Sequence, residues 1–355
     1  LSIKNYFSSF TTLFNQTIIQ KKEEKVWGTR SNFFMQTLIR NHQRQDHWQN
    51  IATLINTCAI FDRQYDETSA TEIALICNTP DFDPDRNTRV WYDQGKLIGF
   101  SLLDISPTNT SVDAYLHIYL HPRKRQQGFE NKMLLWGEQT LKQIGQVYNL
   151  PSKLRIYSRA DYLYLARLLK QHDFSIERQF LTMGRSLQQP IPTPYLPDNF
   201  YVATMADRFD RQAKLNDWVK MYNESFVDHW NHHDVTTETL ETWLNSSQYR
   251  PDLNLIAISP EEQFAAFCNT RIRQVSDKSS GGITIGWIDW LGTSRSFRKR
   301  GLGKSMLLSG LQLLKQQGAK IAKLSVDADN SSGAVGLYRS LGFQNLNTWF
   351  SWLKV

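Results

Sequence analysis

The chain repeats itself, and that constrains its fold more than any other feature of the sequence. "FDPDRN" at 82–87 returns as "YRPDLN" at 249–254. "HPRKRQQGFENKML" at 121–134 returns as "SRSFRKRGLGKSML" at 294–307, and "LARLLKQHDF" at 165–174 as "AVGLYRSLGF" at 334–343. The matches keep their order and are shifted by about 170 residues, the mark of two copies of one unit. A chain of 355 residues has room for two such domains, each long enough to bury its own core. The stretch "QQPIPTPYLPDNF" at 188–200 joins them; its four prolines favour extended backbone and oppose helix. The expected organisation is an N-terminal extension at 1–30, a first domain at 31–187, a Pro-rich linker at 188–198 and a second domain at 199–355.

Each copy reads as mixed α/β. In the second, "YVATMA" is a short strand, followed by helical "RFDRQAKLNDWVKMYNESF" and "TETLETWLNSS", the latter opened by Thr and Glu. "LNLIAIS", "QFAAFCNTRI" and "ITIGWIDWLGT" are strands. "GKSMLLSGLQLLKQQG" has the apolar spacing of a helix, with a closing glycine. A strand "AKLSVDA", a helix "GAVGLYRSL" and a strand "NTWFSWLKV" complete it. The fold class is α/β of the α+β mixed-sheet kind: two tandem domains, each a mixed, mostly antiparallel sheet flanked by helices.

The formal net charge of +7 favours anionic partners without choosing among nucleic acid, membrane headgroups and a phosphorylated cofactor. Cys58, Cys77 and Cys268 form no CxxC pair, which favours a reducing compartment. No apolar run approaches the ~20 residues of a membrane span. The start, "LSIKNYFSSFTTLFNQTIIQKKEEK", carries polar residues through its apolar part and is not read as a signal peptide. The expected location is the cytoplasm.

The chemistry concentrates in "TSRSFRKRGLGKSML". A strand ends, a basic loop with Gly301 and Gly303 follows, and a helix begins. Glycines let backbone approach a ligand, and a helix N-terminus attracts phosphate. Alone, the stretch reads more readily as a solvated basic loop.

Two signatures in order resolve it. Arg298, Gly301 and Gly303 fit R/Q-x-x-G-x-G/A, and "DNSSGAVGLYRSLGF" supplies Asn330, Ala334, Leu337, Tyr338, Gly342 and Phe343. Together they resemble the GNAT superfamily of N-acetyltransferases, over the whole second copy and more weakly over the first. Two copies with the second intact are similar in layout to the tandem mycothiol synthases, a likeness that does not carry a substrate with it.

The resemblance implies acetyl-CoA as acetyl donor and a small-molecule primary amine as acceptor, attacked directly without an enzyme nucleophile. It implies that the loop backbone of Lys299, Arg300, Gly301, Leu302, Gly303 and Lys304 holds the pyrophosphate, with Arg298 also binding the coenzyme. Leu291, Gly292 and Thr293 would pair with the pantetheine arm, with Asn330 and Gly333 near the coenzyme, and Tyr338 would be the general acid. Asp289, on the strand feeding the loop, is the candidate base, placed by alternation on one face with Trp287 and Leu291. A structural or substrate-contacting carboxylate is the other reading of Asp289.

The first copy departs from the pattern. It keeps Pro122, Arg125 and Gly128, but Glu130 stands at the second glycine position, Leu169 at the tyrosine and Asp161 at the asparagine. It reads as a degenerate copy that binds coenzyme weakly or only shapes the substrate cleft.

"DHWNHHD" at 228–234 has ligand types for a metal but no standard spacing, and no metal is assigned. Asp228, His229 and Trp230, with Trp287, are candidate substrate contacts. No reader motif accompanies the basic "RKR" stretches, so neither nucleic acid nor membrane is expected as partner. A non-catalytic CoA-sensing or protein-binding tandem, or a protein N-acetyltransferase, are the competing readings. The sequence does not give the oligomeric state.

Overall fold

The computed structural model describes residues 45–62, 68–77, 82–208, 213–230, 234–244, 249–275, 282–330 and 333–355. The N-terminal extension at 1–30 lies outside them. The chain forms two compact units, one of 180–348 and one in which 349–355 join the segment ending at Gln179.

The unit ending at Gln179 opens with helices α1 (Gln45–Phe61) and α2 (Ala70–Cys77). Strands β1 (Thr88–Asp93), β2 (Lys96–Pro107) and β3 (Val112–Leu120) form an antiparallel run. Helix α3 (Phe129–Tyr148) crosses to β4 (Ser152–Arg159), which pairs parallel with β3, and α4 (Leu163–Gln171) follows. Met133, Leu134 and Leu141 of α3 are fully or almost fully buried. Of these, Leu134 and Leu141 pack on Leu103, Ala114, Leu116, Leu154 and Ile156 of the sheet.

In the other unit, β5 (Ser175–Ser186) enters with Phe180–Ser186, and β6 (Tyr201–Thr204) leads to α5 (Ala213–Phe226) and α6 (Thr237–Leu244). Then come β7 (Asn254–Ile258), β8 (Phe264–Val275), β9 (Ile283–Thr293), α7 (Leu302–Gln316), β10 (Ile321–Asp327) and α8 (Ala334–Ser340). The strand order is β5-β10-β9-β8-β7-β6, parallel only between β9 and β10. Helix α7 covers one face with Met306, Leu307, Leu311 and Leu314. Trp218 and Tyr222 of α5 cover the other, against Phe267 and Trp290.

The close seating of α7 depends on glycine. A Cβ at Gly310 would lie 2.6 Å from Cys268 Sγ, and one at Gly137 of α3 would lie 2.5 Å from Leu116 Cδ2. The copies thus share a helix-to-sheet contact as well as sequence.

The last strand of each repeat completes the sheet of the other. Phe180–Ser186 of β5 pair with β10, while Trp349–Lys354 of β11 (Gln344–Lys354) pair with β4. Trp352 is 1% exposed among the first-unit core residues, and its indole N–H donates to Ser158 Oγ at 2.8 Å. The repeats at 31–187 and 199–355 therefore differ from the compact units at their final strands. No described helix is long and apolar enough to cross a membrane.

Candidate active site

Strands β9 and β10 run paired from Ile321↔Ile285 to Leu324↔Ile288 and then part. Beyond that point β9 stays on β8 as far as Thr293↔Ala266, and β10 stays on β5 as far as Asp327↔Phe180. The gap is lined by 289–293 on one side and 325–327 on the other.

At the start of the gap the β8–β9 register slips. Asn269 pairs with Trp290 and Thr270 with Ile288, so Asp289 has no counterpart on β8. This bulge breaks alternation. Leu291, opposite Cys268, packs with the α7 cluster, whereas Trp290 packs with α5. Trp287 and Asp289 do share a face, both against Arg271. The expectation that Leu291 joins them is corrected: the extra residue turns it to the opposite face.

The basic loop follows β9. A 3-10 turn (Arg295–Phe297) leads to Lys299 at φ 63° and to Gly301 at φ 83°, which caps α7 without a side-chain hydrogen bond. The first helical N–H to bond back is that of Ser305, to Gly301 O. The N–H groups of Leu302, Gly303 and Lys304 precede it at the positive end of the helix dipole. A Cβ at Gly301 would meet nothing within 4 Å, and one at Gly303 only Thr293 Oγ1 at 3.5 Å. The open side of this turn therefore has room for an anion. Lys299, Arg300 and Lys304 are exposed around it.

The Arg298 side chain is engaged within the fold. Its guanidinium donates to Asp228 Oδ2 at 2.7 Å, Ser225 O at 3.0 Å, and Glu224 O and Thr293 O at 3.4 Å each. Arg295 donates to the other oxygen of Asp228 at 2.5 Å. The Arg298 hydrogen bond, then that of Arg295, holds the Asp228 carboxyl below its ordinary range. These contacts tie the loop to the end of α5. The structure thus brings together two residues assigned to different ligands and joins them to each other. Gly292 likewise serves packing, since a Cβ there would lie 2.4 Å from the Phe267 ring and 2.9 Å from Ser225 Cβ.

Tyr338 projects from α8 into the core, 8% exposed, with its ring tilted on Phe343 at 5.9 Å. Burial, and next the neighbouring Cys268, push its hydroxyl well above the usual phenol range. Cys268 is itself pushed up to about 12, first by burial and then by the charge of Asp289. Both oxygens of Asp289 accept from Arg271, at 2.9 and 2.8 Å. Both are charge-assisted hydrogen bonds.

Of the other expected contacts, His229 Nδ1 lies 2.9 Å from Trp230 O, and the Trp230 ring tilts on Phe180 at 5.9 Å. Residues 231–233 of the His-rich stretch lie outside the described residues. Gly333 caps α8 at φ 76°, and the Asn330 N–H donates to Asp327 O at 3.2 Å.

The first unit carries the same loop backbone, with Gln126 at φ 63° and Gly128 at φ 86° capping α3. Arg125 repeats the clamp, donating to Leu120 O at 3.2 Å and to both oxygens of Asp62 at 2.6 and 2.8 Å. The strands also part, β3 and β4 pairing only as far as Tyr115↔Arg155. Two things differ. The β2–β3 register has no bulge, and Glu130 is folded back into the loop, 2% exposed. Its Oε1 accepts from the Gln126 N–H at 2.8 Å and from the Tyr162 hydroxyl at 2.9 Å.

The clamps were missed by sequence reasoning. Their signal was an Asp just after a helix-ending Phe in each copy, Asp62 after Phe61 and Asp228 two after Phe226.

Residues 215–343 match the profile of the acetyltransferase (GNAT) family. The chain is 26% identical to a mycothiol acetyltransferase of Saccharomonospora viridis over 71% of its own length and 78% of the relative's. It is 28% identical to a mycothiol acetyltransferase of Salinispora tropica over 70% and 75%. A GCN5-related N-acetyltransferase from Sphaerobacter thermophilus superposes with TM-score 0.64 at 22% identity, covering 88% of this chain and 93% of that one. A tandem GNAT protein from the clavulanic acid biosynthesis pathway superposes with TM-score 0.62 at 12% identity, covering 87% and 95%. Residues 215–343 thus resemble an acetyltransferase domain of GNAT type, and the chain shares its fold with tandem GNAT proteins.

Proposed function

We propose that this GNAT domain transfers an acetyl group from acetyl-CoA to the primary amine of a small molecule, and that the unit of 180–348 is the catalytic one. One observation carries the reading. The N-terminus of α7, with no side-chain cap, lies beside Thr293 at the end of the stretch of β9 that has parted from β10, and Tyr338 lies on the helix that follows β10.

In this reading the pyrophosphate sits on the N–H groups of Leu302, Gly303 and Lys304, and Lys299, Arg300 and Lys304 surround it. The pantetheine arm enters the gap along 291–293. The bulge at Asp289 takes a backbone group out of the β8 ladder, a donor for the carbonyl oxygen as charge develops on it. The amine, its ammonium proton having left through water, attacks the acetyl carbon; the carbon–sulfur bond breaks, the leaving thiolate takes the proton of Tyr338, and the second nitrogen proton returns through water to the tyrosinate. Burial keeps that hydroxyl protonated until the thiolate forms. The ion pair with Arg271 favours Asp289 as the carboxylate that receives the acceptor's ammonium, with the amine proton leaving through water.

The relatives named mycothiol acetyltransferase support a small-molecule acceptor; at this identity they do not name it. The test is coenzyme A release from acetyl-CoA with a panel of primary amines, with the acetylated product identified by mass spectrometry. Release that needs an amine and yields its amide supports the reading. Tight acetyl-CoA binding without turnover of any amine or peptide turns it toward a coenzyme sensor.

A further inference from the structure

The α5-facing side of the catalytic sheet sorts its charges along the strands. Asp289 stands where β9 and β10 part, and Asp327 lies three residues past Leu324, the last β10 residue paired with β9. Arg271, Arg273 and Lys323 stand back along the paired part, opposite Trp287, Ile285 and Trp287 respectively. At about 3.3 Å per residue, the Trp287 row is about 7 Å from Asp289 and the Arg273 row about 13 Å.

Trp287 marks the centre of the cationic end. The Lys323 ammonium lies 5.7 Å from its ring centroid and the Arg271 guanidinium carbon 5.9 Å. The ring is 5% exposed, and its indole N–H is buried with no acceptor among the described residues. A buried donor without an acceptor, flanked by cations, is complementary to an anion, because buried donors in native proteins are almost always satisfied. The carboxylates at the other end suit an ammonium.

We infer that the acceptor is a zwitterion, its amine held at the Asp289 and Asp327 end and a carboxylate or phosphate bound about 7–13 Å away by Trp287, Lys323 and Arg273. This rests on the proposed acetyl transfer and names the acceptor class for the same site. An α-amino acid is too short to span the two ends; a long ω-amino acid, a short peptide or an amino sugar phosphate reaches.

The test offers acetyl-CoA with two matched series: ω-amino carboxylates from 3-aminopropanoate to 8-aminooctanoate, and n-alkylamines of the same lengths. The expected result is at least about a tenfold advantage in kcat/KM for the carboxylates, arising only at about six carbons and beyond. Lys323→Met and, independently, Arg273→Gln are expected to shrink that ratio toward one. A ratio near one in the unaltered protein at every length overturns the inference. If neither series turns over, calorimetry of the coenzyme A-loaded protein with 7-aminoheptanoate against heptylamine decides. Preferential binding of the carboxylate upholds the inference, and equal or undetectable binding overturns it. Acetyl-CoA binding measured alongside reads out the proposed function, so the two can fail separately.

Discussion

Glu130 Oε1 accepts the backbone N–H of Gln126 at 2.8 Å, placing a carboxylate inside a loop whose second-unit counterpart holds Gly303. Gln126 and Lys299 share φ 63°, so the two loops present the same N–H. In the first unit an internal anion uses it.

One acetyl-CoA per chain is therefore expected in a calorimetric titration, not two. Glu130→Gly should add a second site, weaker than the first because the β2–β3 register lacks the bulge. Two equivalent sites in the unaltered protein would contradict this.

The Arg298–Asp228 pair shapes the loop without touching the acceptor in this account. Asp228→Asn should raise the KM for acetyl-CoA several-fold and leave the acceptor KM within about twofold. Asp62→Asn, its counterpart on Arg125, should lower Tm without moving either KM. A change confined to the acceptor KM in Asp228→Asn would return that residue to the substrate cleft.

Tyr338→Phe removes the proposed proton donor but keeps the packing on Phe343. The expected loss in kcat is about 10²-fold, the lower end of general acid catalysis, with the KM for acetyl-CoA unchanged within about twofold. A kcat within about threefold of the unaltered enzyme would make Tyr338 a core aromatic only. Asp289→Asn should raise the acceptor KM more than it lowers kcat and keep the acid limb of the pH profile. Loss of that limb would make Asp289 the base.

A pH effect arises in the first unit. Burial pushes the Asp104 carboxyl up to about 7 from 3.8. Its folded value exceeds its unfolded one, so between them the native state binds more protons, and stability falls as pH rises from about 4 through 7. Asp104→Asn should raise Tm by several degrees at pH 8 and leave it nearly unchanged at pH 4. A Tm gain of equal size at both pH values would show that the charge is not the cause.

The sequence carried the repeat, the order of strands and helices, and the loop around Gly301, because these rest on local signals: period, glycine and cap. It did not carry the exchange of β5 and β11, since strand pairing is a choice between two similar partners. The bulge at Asp289 was invisible for a related reason. One extra residue changes nothing in composition, yet it turns Leu291 to the other face. Arg298 was legible as a conserved-looking motif position, but the charge of the loop concealed that its partner is Asp228.

If 180–348 forms the transferase, Gly303→Glu, which gives the second loop the carboxylate of the first, should abolish transfer. A Cβ there meets only Thr293 Oγ1 at 3.5 Å, so the fold should persist with Tm within a few degrees. Amine-dependent coenzyme A release should fall at least about 100-fold in this variant, a loss of ~2.7 kcal/mol of binding or transition-state stabilisation. Release that continues at the unaltered rate in a folded Gly303→Glu protein would contradict the account.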